Sequence, residues 1–393
     1  MEYRTVKEMA ELWNVSQRLI QKYCAQGRIN GVIKFGGSWR IPENAEKPRD
    51  PRSKQEMTSS LLMGLMPLLN LSFTPGHCLE EIEKIAEKQQ RDIAYAEYYY
   101  FSGQAEKAVQ LTERYLTCPD DGLRLSACLI YSFANLPLGE IQRSKYTLGE
   151  IERILKSEEG KEATPYQKAI HAFVASAAAI LLHLPISKDF QEVKGFLSIL
   201  PPGLRAFALY VQAHHLYLEK QYERSLGVVE ATLAMGAQKY PITAIYLHMI
   251  ATIDNMSLKR TQQAQHHLLK AWELARPDDL IECFGEHHGL LGGMLESVIK
   301  PRWPEDFKRI IAITYRFSSG WRKVHNPATG HDVADNLTTT EFAIAMLAAR
   351  GWKNQEIAQQ LNISSNTVKS YISTILQKLN IKQRKDLVHY VLK

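Results

Sequence analysis

Residues 354–379, NQEIAQQLNISSNTVKSYISTILQKL, hold two helical patterns separated by a polar turn. The first pattern covers residues 354–361, the second covers residues 365–379, and Asn362-Ile363-Ser364 lies between them. Asn354 and Ser364 are each placed to cap the helix that follows, because their side-chain oxygens can accept hydrogen bonds from free backbone N–H groups. Apolar residues recur along the second pattern at spacings of four, three and four, which places them on one buried helix face. These residues are Val368, Ile372, Ile375 and Leu379.

The opposite face of the second helix carries short polar side chains and a cation, and no carboxylate occurs between residues 364 and 379. Its members are Asn366, Lys369, Ser370, Ser373 and Gln377. Such a face suits the edge of a nucleic acid, and the major groove of B-form DNA, about 12 Å wide, accepts one helix. We therefore predict that this helix binds double-stranded DNA. The candidate contact residues are Lys369, Ser370, Ser373, Asn366, Thr367 and, just before the first helix, Lys353.

Two further helices flank this motif. Thr338 and Glu341 are spaced as a capping box for a helix that Gly351 ends, and residues 384–392 predict a short fourth helix. This order of four helices resembles the DNA-binding domain of LuxR-type response regulators. The resemblance covers residues 337–393 and rests on Leu337-Thr338, Glu341, Gly351, Asn354, Glu356-Ile357-Ala358, Leu361, Ile363-Ser364, Thr367-Val368-Lys369, Ile375 and Lys378-Leu379.

The resemblance includes one departure and carries one implication. Family members often have His where Tyr371 stands, so the base preference of the family does not transfer to this chain. In the family, the last helix pairs two domains on a two-fold site. Leu387, Tyr390 and Val391 occupy the matching apolar positions, and the resemblance therefore implies a homodimer.

The net charge of +6 is concentrated at the two ends of this chain of 393 residues. Residues 1–53 carry ten Lys and Arg against six Asp and Glu, and residues 337–393 carry eight against three. The ends are therefore +4 and +5, and the middle is −3. A chain of this length predicts two or three domains, and basic domains are typical of nucleic-acid binding.

The N-terminal end repeats the helix-turn-helix pattern on a smaller scale. Thr5 and Glu8 form a capping box, Ser16 caps a second helix, and alternating stretches around Gly36-Gly37 predict a hairpin. This order resembles the winged helices of the MerR and excisionase group, through Thr5-Val6-Lys7-Glu8, Val15-Ser16, Gly27-Arg28-Ile29 and Trp39-Arg40-Ile41-Pro42. The candidate DNA contacts are Gln17, Arg18, Gln21, Lys22, Lys34 and Arg40. A protein-docking module is the alternative, because short winged helices also serve in that way.

The residues between the basic ends are predicted to be almost entirely helical. Helices arrive in pairs, and small residues recur in the second helices at Ala108, Ser225 and Ala264, separated by 117 and 39 residues. The stretch Tyr98-x-x-Phe101-x-Gly103-x-Ala105-x-x-Ala108 is similar to a tetratricopeptide unit. We therefore predict a solenoid-like array of mixed helical repeats with a concave groove. The aromatic run 98–101 is interpreted as packing between units, with a ligand groove as the alternative, and residues 285–293 are interpreted as a helix break.

Several classes of function lack their signatures. No G-x-x-x-x-G-K-[ST], H-E-x-x-H, G-x-S-x-G or C-x-x-C motif occurs, so we predict neither an enzyme nor a cofactor. Neighbours on a helix diverge by about 100°, so the adjacent histidines predict no metal site. These pairs are His214-His215, His266-His267 and His287-His288. The five cysteines are scattered without a C-x-x-C pair, which predicts a protein of the reducing cytoplasm. The most apolar run, residues 61–71, is about half the ~20 residues that span a bilayer, which predicts buried packing and no membrane segment.

Together these features predict a mainly α chain. Its parts are a winged helix-turn-helix over residues 1–53, a helical-repeat domain over 54–321, a linker over 322–336 and a LuxR-type domain over 337–393. We interpret the chain as a bacterial transcriptional regulator that binds DNA sequence-specifically and whose middle domain senses an effector or a protein partner. Two alternatives stay open: a protein-interaction scaffold with docking modules at its ends, and an excisionase-like architectural DNA-binding factor.

Overall fold

A computed structural model describes residues 3–13, 15–29, 31–43, 45, 64–157, 164–181, 195–325 and 337–388. The chain divides into two compact units, Met1–Ser60 and Leu61–Lys393. Each unit has its own hydrophobic core.

The first unit is a small winged helix-turn-helix. Its elements in chain order are β1 (Tyr3–Thr5), α1 (Val6–Leu12), α2 (Gln17–Ala25), β2 (Ile33–Phe35) and β3 (Ser38–Pro42). The strands form an antiparallel sheet in the order β1-β3-β2. The predicted hairpin of β2 and β3 is confirmed, and Gly36 and Gly37 at its tip have φ of 57° and 83°, which glycine adopts without a steric penalty. Strand β1 was not predicted, because three residues are too few to show an alternating pattern.

Both predicted helix starts in this unit are confirmed by hydrogen bonds. Thr5 Oγ1 accepts from the backbone N–H of Glu8 at 3.3 Å, and Glu8 Oε2 accepts from the backbone N–H of Thr5 at 2.7 Å. Ser16 Oγ accepts from the backbone N–H of Leu19 at 3.3 Å. With their starts fixed, the two helices and β3 enclose the core, whose buried members are Met9, Ala10, Ile20, Tyr23, Cys24, Ile29 and Ile41.

Within its described residues, the regular secondary structure of the second unit consists of helices and short helical turns. Its helices are α3 (Cys78–Glu83), α4 (Lys88–Phe101), α5 (Ala105–Thr112), α6 (Asp121–Asn135), α7 (Ile141–Ser157), α8 (Pro165–Leu181), α9 (Pro202–Leu218), α10 (Tyr222–Ala234), α11 (Pro241–Ser257), α12 (Thr261–Ala275), α13 (Glu282–Glu286), α14 (Pro304–His325), α15 (Thr339–Ala349), α16 (Asn354–Leu361) and α17 (Ser365–Lys378). Short 3-10 or π turns lie at Pro67–Asn70, Glu113–Tyr115, Ala237–Lys239, Arg276–Asp278, Leu295–Ile299 and Arg384–Leu387.

Three predicted helix pairs are present in the middle of the chain. Helix α4 packs on α5, α9 packs on α10, and α11 packs on α12. The small residues Ala108, Ser225 and Ala264 are fully buried. Their short side chains let neighbouring helices approach closely, as expected at a close-packed interface. Phe101 of the aromatic run is also buried, and its ring lies 5.9 Å from that of Tyr246 on α11, in agreement with packing.

The predicted linker over residues 322–336 is wrong at its start. Helix α14 continues to His325, so residues 322–325 are helical, and residues 326–336 lie outside the described residues. No proline or glycine occurs between Trp321 and His325, so the sequence holds no breaking signal that would end the helix at Trp321.

Two further predictions concern the ends of the second unit. The predicted helix over residues 384–392 is a short 3-10 turn, Arg384–Leu387, and residues 389–393 lie outside the described residues. At the other end, Leu65, Leu68 and Leu69 of the apolar run are buried in the core. Within the described ranges, no helix has the length and apolar character needed to cross a membrane.

Candidate nucleic-acid interface

Helices α16 and α17 form the predicted helix-turn-helix. Asn362 allows the tight turn between them, because its φ of 54° and ψ of 46° are left-handed, a conformation that Asn adopts more readily than most residues. Ser364 then caps α17 and accepts a hydrogen bond from the backbone N–H of Thr367 at 3.0 Å. The predicted cap of α17 is therefore confirmed.

The predicted cap of α16 is wrong. Lys353, not Asn354, occupies the cap position, and its backbone N–H donates to Glu356 Oε2 at 2.5 Å. Asn354 is the first residue of the helix, and its side-chain oxygen accepts from Arg384. Arg384 also donates to the backbone carbonyl of Trp352. The oxygen that was expected to cap the helix instead ties the C-terminal turn to the start of α16.

Helix α17 has the predicted buried and exposed faces. Val368 and Ile375 are fully buried, and Ile372 is 8% exposed. The outer face is exposed along its length, at Asn366, Thr367, Lys369, Ser370, Ser373 and Gln377. Since α17 contains no Asp or Glu, this face offers hydroxyl, amide and ammonium groups with no negative charge to repel a polyanion. Lys353 is exposed as well, at the start of α16.

A partly buried ion pair holds α17 against α15. Lys378 Nζ lies 2.7 Å from Glu341 Oε2, and the Glu341 side chain is only 6% exposed. Burial alone would raise the pKa of Glu341, but hydrogen bonds from Lys378 and Thr338 outweigh it and lower that pKa. The same carboxylate accepts the backbone N–H of Thr338 at 2.7 Å, which completes the predicted capping box. The sequence predicts the box but not the ion pair, because the pair joins residues 37 positions apart.

The residues expected to pair two chains are only partly described. Leu387 is fully buried in the core of its own unit and presents no surface to a second chain, so its assignment as a pairing residue is corrected. Tyr390 and Val391 lie outside the described residues. The homodimer therefore stays a prediction that depends on these two residues.

The candidate contact residues of the first unit lie on two elements. Gln17, Arg18, Gln21 and Lys22 are exposed on α2, whereas Lys34 and Arg40 belong to the wing formed by β2 and β3. Lys34 is exposed, and its Nζ lies 5.4 Å from the centroid of the Trp39 ring. Arg40 is half-buried.

The wing also exposes two large apolar side chains. Ile33 is 47% exposed and Phe35 is 74% exposed. Exposed apolar groups in one place mark contact surfaces more often than scattered ones do. The alternation of Ile33, Lys34 and Phe35 predicts a strand, but it does not reveal which face of that strand is left open.

Three glycines form a seat on which the C-terminal helices rest. The seat consists of Gly289, Gly292 and Gly293. A Cβ added at Gly289 would lie 2.3 Å from Phe342 Cε1, and one at Gly293 would lie 2.3 Å from Leu361 Cδ2. Such distances are far below van der Waals contact, so a larger residue at either position would force the side chain of Phe342 on α15 or of Leu361 on α16 to shift. The sequence indicated only a helix break in this region.

Polar contacts accompany the seat. Arg350, at the end of α15, donates from Nη2 to the carbonyl of Leu290 at 2.7 Å and to the hydroxyl of Tyr217 at 3.2 Å. Lys259 Nζ lies 3.1 Å from Glu356 Oε2 on α16. These contacts involve α15 and α16, and the outer face of α17 remains exposed beside them.

The adjacent histidines take part in local contacts. His288 Nε2 lies 2.7 Å from Glu296 Oε1, and His267 Nδ1 lies 2.9 Å from His248 Nδ1. Among the residues that the structure describes, no group of three or more His, Cys, Asp or Glu could hold a metal ion. The five cysteines are buried free thiols.

Known families match both ends of the chain. The family described as "Bacterial regulatory proteins, luxR family" matches residues 335–391, which contain α15 to α17 and the exposed face. Residues 335–391 are a LuxR-family DNA-binding domain. The family described as "Helix-turn-helix domain" matches residues 5–45, so the LuxR-type domain is accompanied by a second helix-turn-helix at the other end.

Curated relatives of this chain are named as regulatory proteins. The oxygen regulatory protein NreC of Staphylococcus carnosus (strain TM300) is 44% identical over 57 residues, which cover 14% of this chain and 26% of that protein. The response regulator protein VraR of Staphylococcus saprophyticus is 39% identical over 110 residues, 26% of this chain and 53% of that protein. The transcriptional regulatory protein DesR of Bacillus subtilis (strain 168) is 41% identical over 66 residues, 16% of this chain and 33% of that protein. The chain thus spans between 26% and 53% of the length of these relatives. No solved structure matches it.

Proposed function

We propose that this protein is a transcriptional regulator that binds double-stranded DNA sequence-specifically through its LuxR-type domain. The observation that carries the proposal is the outer face of α17, which is exposed and free of carboxylates while the opposite face is buried. A helix of this kind fits the major groove, where Lys369 can reach a phosphate or a base edge. Ser370 and Ser373 lie beside it and offer shorter hydrogen-bonding groups.

The proposal is tested by selection from random double-stranded DNA with the full chain, followed by sequencing of the retained fragments. We expect one motif to be enriched, and we expect retention to fall as salt rises, because counterions released from phosphates drive binding. A variant with Lys369→Glu, which places a negative charge on the outer face, serves as the matched control and should retain little DNA. Equal retention by both proteins, or no enriched motif, would contradict sequence-specific binding through α17.

The first unit is proposed to make a second DNA contact with α2 and the wing. Its net charge of +4 and the exposed side chains of Arg18 and Lys22 support this role. A protein-docking role has support of its own in the exposed Ile33 and Phe35 of the wing. Replacement of both Arg18 and Lys22 by Ala weakens DNA binding only if α2 touches DNA. Phe35→Ser tests the protein-docking role instead, because it removes an exposed apolar side chain from the wing without changing the charge that DNA binding would use.

The middle helices are proposed to sense an effector or a protein partner and to transmit its binding through the seat. Helices α15 and α16, which contact the middle helices, are also the helices on which α17 packs. A ligand that prefers one arrangement of the seat therefore shifts the position of α17, as differential affinity requires. We further propose a cytoplasmic homodimer that pairs through Tyr390 and Val391. Replacing both by Ala should convert the dimer to a monomer in sedimentation velocity.

A further inference from the structure

A cleft of about 390 Å³ opens between the middle helices and the LuxR-type domain. One wall comes from the start of α12 and the segment after the seat, and the other comes from α16 and the residues before it. Its volume lies within the range of about 300–1,000 Å³ that is usual for small-molecule sites. No local sequence pattern predicts the cleft, because residues 259–298 line one wall and residues 352–360 line the other.

Uncharged hydrogen-bonding side chains dominate the walls. From the middle helices come Thr261, Gln265 and Ser297, and from α16 come Gln359 and Gln360. Each amide offers both a donor and an acceptor, and so does each hydroxyl. Gln265 and Gln359 are exposed, so their amides are accessible to a solute in the cleft. Both walls can therefore form hydrogen bonds with one molecule that carries several donors and acceptors.

The two charged residues of the cleft neutralise each other. Lys259 Nζ lies 3.1 Å from Glu356 Oε2, and it also donates to the carbonyl of Gly351 at 3.1 Å. Glu356 accepts the backbone N–H of Lys353 in addition. Because each charge already has partners, the walls present no unpaired charge for an anion or a cation. The floor includes the buried apolar side chains of Met294 and Val298, which suit the carbon skeleton of a ligand.

The cleft lies between the same two parts of the protein that meet at the seat, the middle helices and the LuxR-type domain. Gln360 Nε2 on α16 donates to Ser297 Oγ at 3.3 Å and lies 2.9 Å from Met294 Sδ on the opposite wall. A molecule can bond to both walls at once only while the LuxR-type domain packs against the seat. Its binding must therefore stabilise the seated arrangement, in proportion to its concentration relative to its Kd.

We infer that this cleft binds a small uncharged polyol, a ring or short chain rich in hydroxyl groups, and that the bound molecule holds the LuxR-type domain on its seat. The inference rests on the proposed function, since it names the chemical class of the effector. Hydroxyl groups match the amides and hydroxyls of the walls, the absence of net charge matches the paired Lys259 and Glu356, and the carbon skeleton matches Met294 and Val298.

The test is isothermal titration calorimetry of the full chain with three neutral probes, glucose, myo-inositol and sucrose. Glucose 6-phosphate and glucosamine provide charged counterparts of glucose. Gln265→Ala and Gln359→Ala each remove one exposed amide from a wall, and Gln262→Ala is the matched control, because Gln262 is exposed on α12 but does not line the cleft. We expect saturable binding of at least one neutral probe. Each wall variant should weaken that binding by about two- to tenfold, as the loss of one hydrogen bond does, while Gln262→Ala leaves it unchanged.

Three results would overturn the inference. The first is the absence of saturable heat with every neutral probe. The second is binding that Gln262→Ala weakens as much as Gln359→Ala does, since this places the site outside the cleft. The third is tighter binding of a charged analogue than of glucose. None of these measurements requires DNA, so retention of random DNA by the same protein preparation reports separately on the proposed function.

Discussion

Gly289→Ala tests the seat, because it adds one methyl group where the seat meets Phe342 of α15. The added Cβ would lie 2.3 Å from Cε1 and 3.1 Å from Cδ1 of Phe342, so the Phe342 ring must move. Gly289 does not have a positive φ, so its backbone accepts Ala without strain. Overpacking of this kind costs about 1–3 kcal/mol. It should exceed the gain of about 0.4–1 kcal/mol that Gly→Ala brings through the unfolded chain.

Gly227→Ala is the matched control for this substitution. Gly227 is exposed in the interior of α10, and a Cβ there would meet nothing within 4 Å. The change should therefore stabilise the helix by about 0.5–1 kcal/mol. Urea unfolding gives the global effect, and hydrogen exchange of peptides from α15 shows where it acts. We expect Gly289→Ala to destabilise the protein and speed exchange in α15, and Gly227→Ala to do neither. If both substitutions raised the free energy of unfolding, or both lowered it, the proposed close contact between the seat and α15 would be refuted.

Three further predictions concern other parts of the chain. Ile375→Ala should destabilise the LuxR-type domain by about 2–5 kcal/mol in urea unfolding, because Ile375 is fully buried. Ser373→Ala, at an exposed position of the same helix, should leave the stability unchanged. If Ser373→Ala were the destabilising change instead, α17 would be rotated about its axis. Burial raises the pKa of Asp254 to about 8, so its contribution to stability is full below the ordinary carboxyl pKa and is lost as the pH rises through about 8. Between a pH below 8 and a pH above 8, the thermal midpoint of Asp254→Asn should change less than that of the parent protein. An equal change in both proteins would refute the raised pKa of Asp254. Replacing Arg18 and Lys22 by Ala should weaken binding to a long operator by up to about 10²-fold, since two tethered contacts reinforce each other, and unchanged affinity would leave the first unit as a docking module.

Most features set by neighbouring residues are predictable from the sequence, although the cap of α16 is not. The capping boxes join positions three apart, and the buried face of α17 repeats every three or four residues, so each is visible within one short stretch. The exposed face with Lys369 follows from the same periodicity. The helix pairs of the middle domain were predictable for the same reason, because each helix carries its own apolar period.

Contacts between distant stretches were not predictable. The ion pair of Lys378 and Glu341 and the cleft beside the seat depend on how helices pack, and no local pattern encodes that packing. Gly289, Gly292 and Gly293 illustrate the difference. A cluster of glycines indicates either a break or a close approach, and only the position of Phe342 and Leu361 decides between them.

The most direct test of the DNA-binding account is the salt dependence of binding by the full chain and by Lys369→Ala, measured by fluorescence anisotropy on the selected motif and on unrelated DNA. Lys382→Ala is the control, because Lys382 is exposed in the same domain but lies outside α17. If Lys369 contacts a phosphate, binding to both DNAs weakens and the slope of log affinity against log salt falls by about one. If it contacts a base, binding to the motif alone weakens, by about 1–3 kcal/mol. Either result agrees with binding through the outer face of α17, whereas unchanged affinity for both DNAs at every salt concentration would contradict it.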